Sequence, residues 1–137
     1  MIRFFEEGKY KLAHKKLIKR WLHGVVANEG KLLQDMNIVF CTDKELLEKN
    51  IKYLKHNTLT DIITFDYSHE DTTSGEIFIS IDRIKDKALT LDVDFFEELC
   101  RVMVHGVLHL VGYKDKSKSE QLEMRKKEDY YLSLRNF

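Results

Sequence analysis

The sequence predicts an α+β domain, and three observations carry that prediction. Short β-branched, apolar runs fall within the first two thirds of the chain, and stripes of helical period with recognisable caps lie among and after them. Proline is absent and glycine numbers only 6, so nothing marks a linker, a repeat or a low-complexity segment. At 137 residues and 43% hydrophobic, residues 1–137 are read as one domain around one core.

Each element has its own signal. Ile2 to Phe5 is a short apolar run that suits a strand. From Lys9 to Asn28, Leu17, Trp21 and Val25, with Ile18 and Leu22 beside them, share one stripe of a helix whose other face is basic. The segment MNIVFCT is β-branched and predicts a strand, followed by Asp43 as N-cap of a helix bearing Leu46, Leu47, Ile51 and Leu54. Two further runs, Asp61 to Phe65 and Glu76 to Ile81, are divided by the polar loop SHEDTTSG and are expected to pair as neighbouring strands. RIKDKAL suits a short helix. Asp94, with Glu97 three positions on, then caps the most strongly signalled helix, whose stripe runs Phe96, Leu99, Met103, Gly106, Leu110 up to Gly112. Ser117, with Glu120 three residues later, opens a last, charged helix carrying Leu122, Met124, Tyr131 and Leu134.

Composition narrows the function classes. The 23 Lys and Arg balance 23 Asp and Glu, so bulk charge argues for neither a nucleic-acid nor a membrane partner. The charge is nonetheless uneven: residues 1–31 hold eight cations against three acids, residues 41–100 seven against fourteen, and residues 101–137 eight against five. No apolar run approaches the ~20 residues that span a bilayer, and the start MIRFFEEGKY lacks a secretory core, which makes a cytoplasmic protein the expectation. Cys41 and Cys100 sit in apolar contexts and are read as core thiols.

The chemistry concentrates near the end of the Asp94 helix. His105 and His109 are one turn apart on one face and can reach a single metal ion, although histidines also fall four apart in ordinary cores and surfaces. Gly112 then ends the helix and turns the chain, and Asp115 follows with an oxygen ligand able to approach the same ion. Two imidazoles and a carboxylate favour one zinc ion. A zinc peptidase of the HExxH type carries a glutamate beside the first histidine, whereas this chain has Gly106 there, which weakens a peptidase reading.

The stretch HGVLHLVGYKD closely resembles the HGxLHLxGYDH motif of the YbeY family, bacterial metal-dependent endoribonucleases tied to maturation of 16S ribosomal RNA. TDIITF at Thr60–Phe65, GEIFIS at Gly75–Ser80 and the MxxxE pattern at Met124–Glu128 agree with the family's order over about residues 37 to 128. The resemblance implies a small mixed β-sheet packed with helices, zincin-like, with the metal site on a central helix. It further implies a single-strand-directed endoribonuclease acting on ribosomal RNA precursor in 16S 3′-end maturation and ribosome quality control, at the small ribosomal subunit or with its assembly factors.

Two positions depart from the pattern. The family's third ligating histidine falls on Asp115, an anionic ligand that leaves the ion less net charge, and its usual arginine after the NxxY element falls on Leu54. The candidate RNA contacts are Lys55, His56, Lys114 and Lys116, joined by Lys118 and by Lys15, Lys19 and Arg20 of the first helix. The residues identify no catalytic base. Two other functions fit the same residues: a ribosome-assembly factor whose metal is structural, and a metal hydrolase of another substrate.

Overall fold

The computed structural model describes residues 1–54 and 60–137. Among them are four strands, Ile2–Glu6 (β1), Leu32–Cys41 (β2), Ile62–Asp66 (β3) and Thr72–Ser80 (β4). The helices are Lys15–Asn28 (α1), Asp43–Lys49 (α2), Ile81–Leu91 (α3), Phe95–Leu110 (α4) and Lys118–Ser133 (α5), and a single π turn, Asn50–Leu54, follows α2.

The strands form one mixed sheet in the order β1-β2-β4-β3. β2 runs parallel to both neighbours, with Met36 opposite Ile2 of β1 and Ile38 opposite Ile77 of β4, while β3 is antiparallel to β4. A central strand is covered on both faces, and the residues of β2 reflect this: Met36, Ile38 and Phe40 enter the main core, and Val39 and Cys41 a smaller one. The main core fills the space between the sheet and α1 and α4, with Ile18, Leu22, Leu99 and Met103 fully buried. The smaller core, with Ile63 and Phe78, is closed by Leu46 of α2. Both thiols are buried where expected, and burial pushes Cys41 and Cys100 up to about 12.

Several boundaries differ from the sequence reading, each for a visible reason. α1 begins at Lys15 and not at Lys9, because the Glu6 carboxylate takes the Leu12 N–H at 2.5 Å and the Lys15 ammonium at 2.6 Å, and His14 enters the left-handed region at φ 61°. The N-cap of α2 is Thr42, one residue before Asp43. Thr42 Oγ1 accepts from Glu45 N–H and the Glu45 carboxylate accepts from Thr42 N–H, a reciprocal box. Asp43 instead accepts from Ser80 Oγ at 2.6 Å and Arg83 Nε at 3.0 Å, tying α2 to the start of α3. Ser80 caps α3, so Ile81 is helical and not the end of a strand. On α5, Met124 and Tyr131 are buried as expected, but Leu122 and Leu134 face solvent.

Two glycines set how closely α4 lies on the sheet. A Cβ on Gly106 would stand 2.9 Å from Ile62 Cδ1 and 3.0 Å from Ile77 Cγ2, and one on Gly75 of β4 would meet Leu110 Cδ2 at 2.8 Å. One helical turn from 106 to 110 advances about 6 Å, and two strand residues from 77 to 75 about 7 Å. α4 therefore runs against the direction of β4, and its C-terminal half rests beside β3.

Candidate metal centre

α4 is shaped at both ends by its own sequence. Asp94 accepts from the N–H groups of Phe96 and Glu97, satisfying two orphan donors of the first turn. At the other end Gly112, at φ 115°, lets the Tyr113 N–H return to the Leu108 carbonyl and its own N–H to the His109 carbonyl. That paired closure reverses the chain. The turn brings Asp115 back over the helix beside His105 and His109.

The three side chains converge. His105 Nε2 and His109 Nε2 are 3.0 Å apart, and each stands 3.3 Å from Asp115 Oδ2. Ligands at about 2.0–2.1 Å in a tetrahedron around zinc are separated by about 3.3 Å, so the three atoms describe one face of such a tetrahedron. Among the described residues this is the group able to hold an ion, and it has three members.

The proton inventory is the stronger test of fit. His109 Nδ1 lies 3.0 Å from the Tyr113 carbonyl oxygen, which can only accept, so Nδ1 carries a hydrogen and Nε2 is the nitrogen turned to the other ligands. His105 Nδ1 lies 2.6 Å from Glu128 Oε2. Burial raises the Glu128 carboxyl, but the hydrogen bonds from His105 and Arg101 outweigh it and hold it below the ordinary value, so it is a carboxylate that accepts. The Glu128 carboxylate and the Tyr113 carbonyl each take up an Nδ1, which leaves both Nε2 atoms turned toward Asp115 Oδ2. Two imidazole nitrogens and a carboxylate oxygen converging on one point, each imidazole oriented through its other nitrogen, fit a divalent metal ion.

A family model described as "Endoribonuclease YbeY" matches residues 4–135. The chain belongs to the YbeY family. Relatives named "Endoribonuclease YbeY" include one from Amoebophilus asiaticus, 49% identical over 94% of this chain and 88% of its own, and one from Flavobacterium psychrophilum, 47% identical over 98% and 96%. A solution structure of a Thermotoga maritima protein superposes with a TM-score of 0.70 at 30% identity, covering 97% of this chain and 87% of that one.

This YbeY-family chain places a cleft beside the converging ligands. Its walls include Asp61, Ile62, Arg101, His105, Asp115 and Arg125. β3 flanks the cleft on the same side of the sheet as α4, with Ile62 and, just before the strand, Asp61 lining it. The β3–β4 hairpin is held to the ligand turn by Ser68, whose hydroxyl reaches the Leu110 carbonyl at 3.2 Å. Gly106 presses against Ile62 and Ile77, leaving no space for the glutamate of a HExxH peptidase.

The expected RNA contacts are dispersed. Lys114 and Lys116 are exposed on either side of Asp115, and Lys118 follows at the start of α5. Lys55 and His56 lie outside the described residues, while Leu54, at the family's arginine position, is 42% exposed. On α1, Lys15 is engaged by Glu6 and Lys19 lies over the Phe4 ring, at the β1 edge of the sheet and so at the opposite edge from β3.

Sequence reasoning missed the groups that orient the ligands. Glu128 is 5% exposed and is itself held by Arg101 Nη1 at 2.8 Å, so Arg101, Glu128 and His105 form a chain of hydrogen bonds across α4 and α5. The MxxxE pattern and an arginine one turn before His105 were the available signals. Neither states that the two helices pack face to face.

Proposed function

We propose that this protein is a metal-dependent endoribonuclease that uses one zinc ion to cleave single-stranded ribosomal RNA precursor. Its place would be the maturation of the 16S 3′ end and ribosome quality control, in the cytoplasm, at the small ribosomal subunit or with its assembly factors. The whole chain, residues 1–137, is read as one hydrolase domain. The observation that carries the reading is the convergence of His105 Nε2, His109 Nε2 and Asp115 Oδ2 within about 3.3 Å of one another, in a chain of the YbeY family. Among the described residues no helix is long and apolar enough to cross a membrane.

His105, His109 and Asp115 would hold the ion. When bound, it supplies Lewis acidity to a phosphodiester and lowers the pKa of water. The protein's own groups do the rest. Glu128 and the Tyr113 carbonyl fix both imidazole tautomers, so that each Nε2 is available without reorganisation. Asp115 contributes a negative charge in place of the family's histidine, leaving less net positive charge at the site. The Asp115 backbone carbonyl is held by Gln121 Nε2 at 3.0 Å, which ties the ligand loop to α5. Lys114 and Lys116, exposed on either side of Asp115, would neutralise phosphates of the bound strand.

Among the described residues the group has three ligands, and two of them, His105 and Asp115, line a cleft; this favours catalysis over a structural metal, which needs a closed shell of four. The test is metal analysis of purified protein together with cleavage of a ribosomal RNA fragment, with and without chelator. One equivalent of zinc and chelator-sensitive cleavage are expected. Bound zinc without cleavage would favour the assembly-factor reading, and failure to bind zinc added in excess would refute the site.

A further inference from the structure

The cleft does not end at the ion site. A second cavity adjoins it along α4, sharing Leu91, Glu98, Arg101 and Arg125 and adding Val93 and Leu132. Leu91 and Val93 are exposed, at 54% and 45%, so an apolar ledge opens directly off the charged wall. Isolated exposed apolar residues need no explanation, but these are continuous with the proposed active cleft.

Three cations line the first cavity, and they are not equally occupied. Arg101 is locked by Glu128 at 2.8 Å and Asp129 at 2.7 Å. Lys87 is held by Asp61 at 2.8 Å, with Glu98 at 3.4 Å. Among the described residues Arg125 reaches only Asp129, at 3.9 Å, and the oxygen it approaches already accepts from Arg101. Of the nearby acids, Asp94 takes the N-terminus of α4 and Glu97 takes Arg135, while Glu98 is paired with Lys87 by charge at 3.4 Å, its Oε2 accepting no hydrogen bond among the described residues. Arg125 is therefore the cation of the cleft most available to a new anion. Its helix presents Gln121, Arg125 and Glu128 along one face, three and four residues apart, which points it along the groove that leads from Asp115.

We propose that Arg125 and the Leu91–Val93 ledge form a subsite for an unpaired nucleotide next to the cleaved one, the guanidinium taking its phosphate and the ledge its base. This rests on the endoribonuclease reading above. A planar guanidinium suits bidentate contact with a phosphate, and an apolar ledge can contact only a base that is not already stacked and paired in a duplex. The subsite gives single-strand preference a physical origin that the ion alone cannot supply.

The experiment measures binding of a fluorescent 2′-O-methyl single-stranded oligonucleotide, which resists cleavage, by anisotropy across a salt titration, with full-length zinc-loaded protein. Arg125→Gln, at an exposed position, should lower affinity about fivefold at 0.1 M salt and reduce the salt slope by about 0.7, the share of one phosphate on a single strand. Arg125→Lys should recover most of the slope but less of the affinity. Leu91→Ala should lower affinity about two- to fivefold with the slope unchanged, because an apolar contact releases no counterion. If the wild type binds and cleaves RNA while Arg125→Gln leaves the slope unaltered, the subsite is wrong and the enzyme reading stands. A wild type that neither binds nor cleaves RNA overturns both.

Discussion

Replacing Glu128 by glutamine tests the orientation of the metal ligands with the least change of shape. The wild-type carboxylate is 5% exposed and accepts from His105 Nδ1 at 2.6 Å and from Arg101 at 2.8 Å. Glutamine keeps one oxygen. If the amide oxygen faces His105, its NH2 group must face the guanidinium, which retains Asp129 as a partner. The histidine then has a neutral acceptor in place of a charged one, a loss of about 1–2 kcal/mol, because charge-assisted hydrogen bonds are worth about 1.5–3 kcal/mol and neutral ones about 1. Since 1.4 kcal/mol is tenfold, zinc affinity should fall about tenfold, and further for Glu128→Ala, which takes the acceptor from two partly buried donors. The assay is competition for zinc against a chromophoric chelator, with circular dichroism to verify the fold. Asp129→Asn, which touches Arg101 but not His105, is the control and should change zinc affinity little. A folded Glu128→Gln protein that binds zinc within twofold of wild type would refute the argument that Glu128 acts through His105.

Three further outcomes follow from the packing. Gly106→Ala gains about 1 kcal/mol of helix propensity but drives a methyl into Ile62 and Ile77, at a cost of about 1–3 kcal/mol, so the melting temperature should stay level or fall by several degrees. A clear rise would show that α4 is not pressed against β3 and β4. Burial raises the Glu29 carboxyl, but hydrogen bonds from Tyr131 and Tyr113, with Lys127 nearby, bring it below its ordinary 4.5. The stability it adds is complete above that value and is lost as pH falls through the lower folded one; denaturant titrations should show a shallower acid limb for Glu29→Gln, and an identical limb would contradict the assignment. Cys41 and Cys100, pushed up to about 12, should resist a thiol reagent at neutral pH until the protein is unfolded, and rapid labelling of the native state would show that the cores are open.

The elements legible in the sequence are those whose causes are local. Asp94 and Ser117 cap α4 and α5 as their side chains predict, and His105 and His109 share a face because four residues make about one helical turn. Gly112 reverses the chain because it alone in that turn takes a positive φ without strain. Element lengths were less legible: β2 and β4 extend back to Leu32 and Thr72 because those residues pair with each other, which no local run of sequence announces. Thr42 displaced Asp43 as a cap because Asp43 had a better use 37 residues away at Ser80 and, beyond it, Arg83.

The sequence by itself determined that a helix would carry two imidazoles one turn apart, followed by a turn and an acid within reach. Tertiary structure alone decided which nitrogen each imidazole offers. Helix geometry sets the spacing of side chains on one segment, but a tautomer is set by whatever accepts the other ring hydrogen, and for His105 that is Glu128, 23 residues away on α5. The same holds for the position of Gly106 against Ile62 and Ile77 and for the weak hold on Arg125: each depends on which surfaces meet, and burial and hydrogen bonding between distant segments are properties of the packed chain.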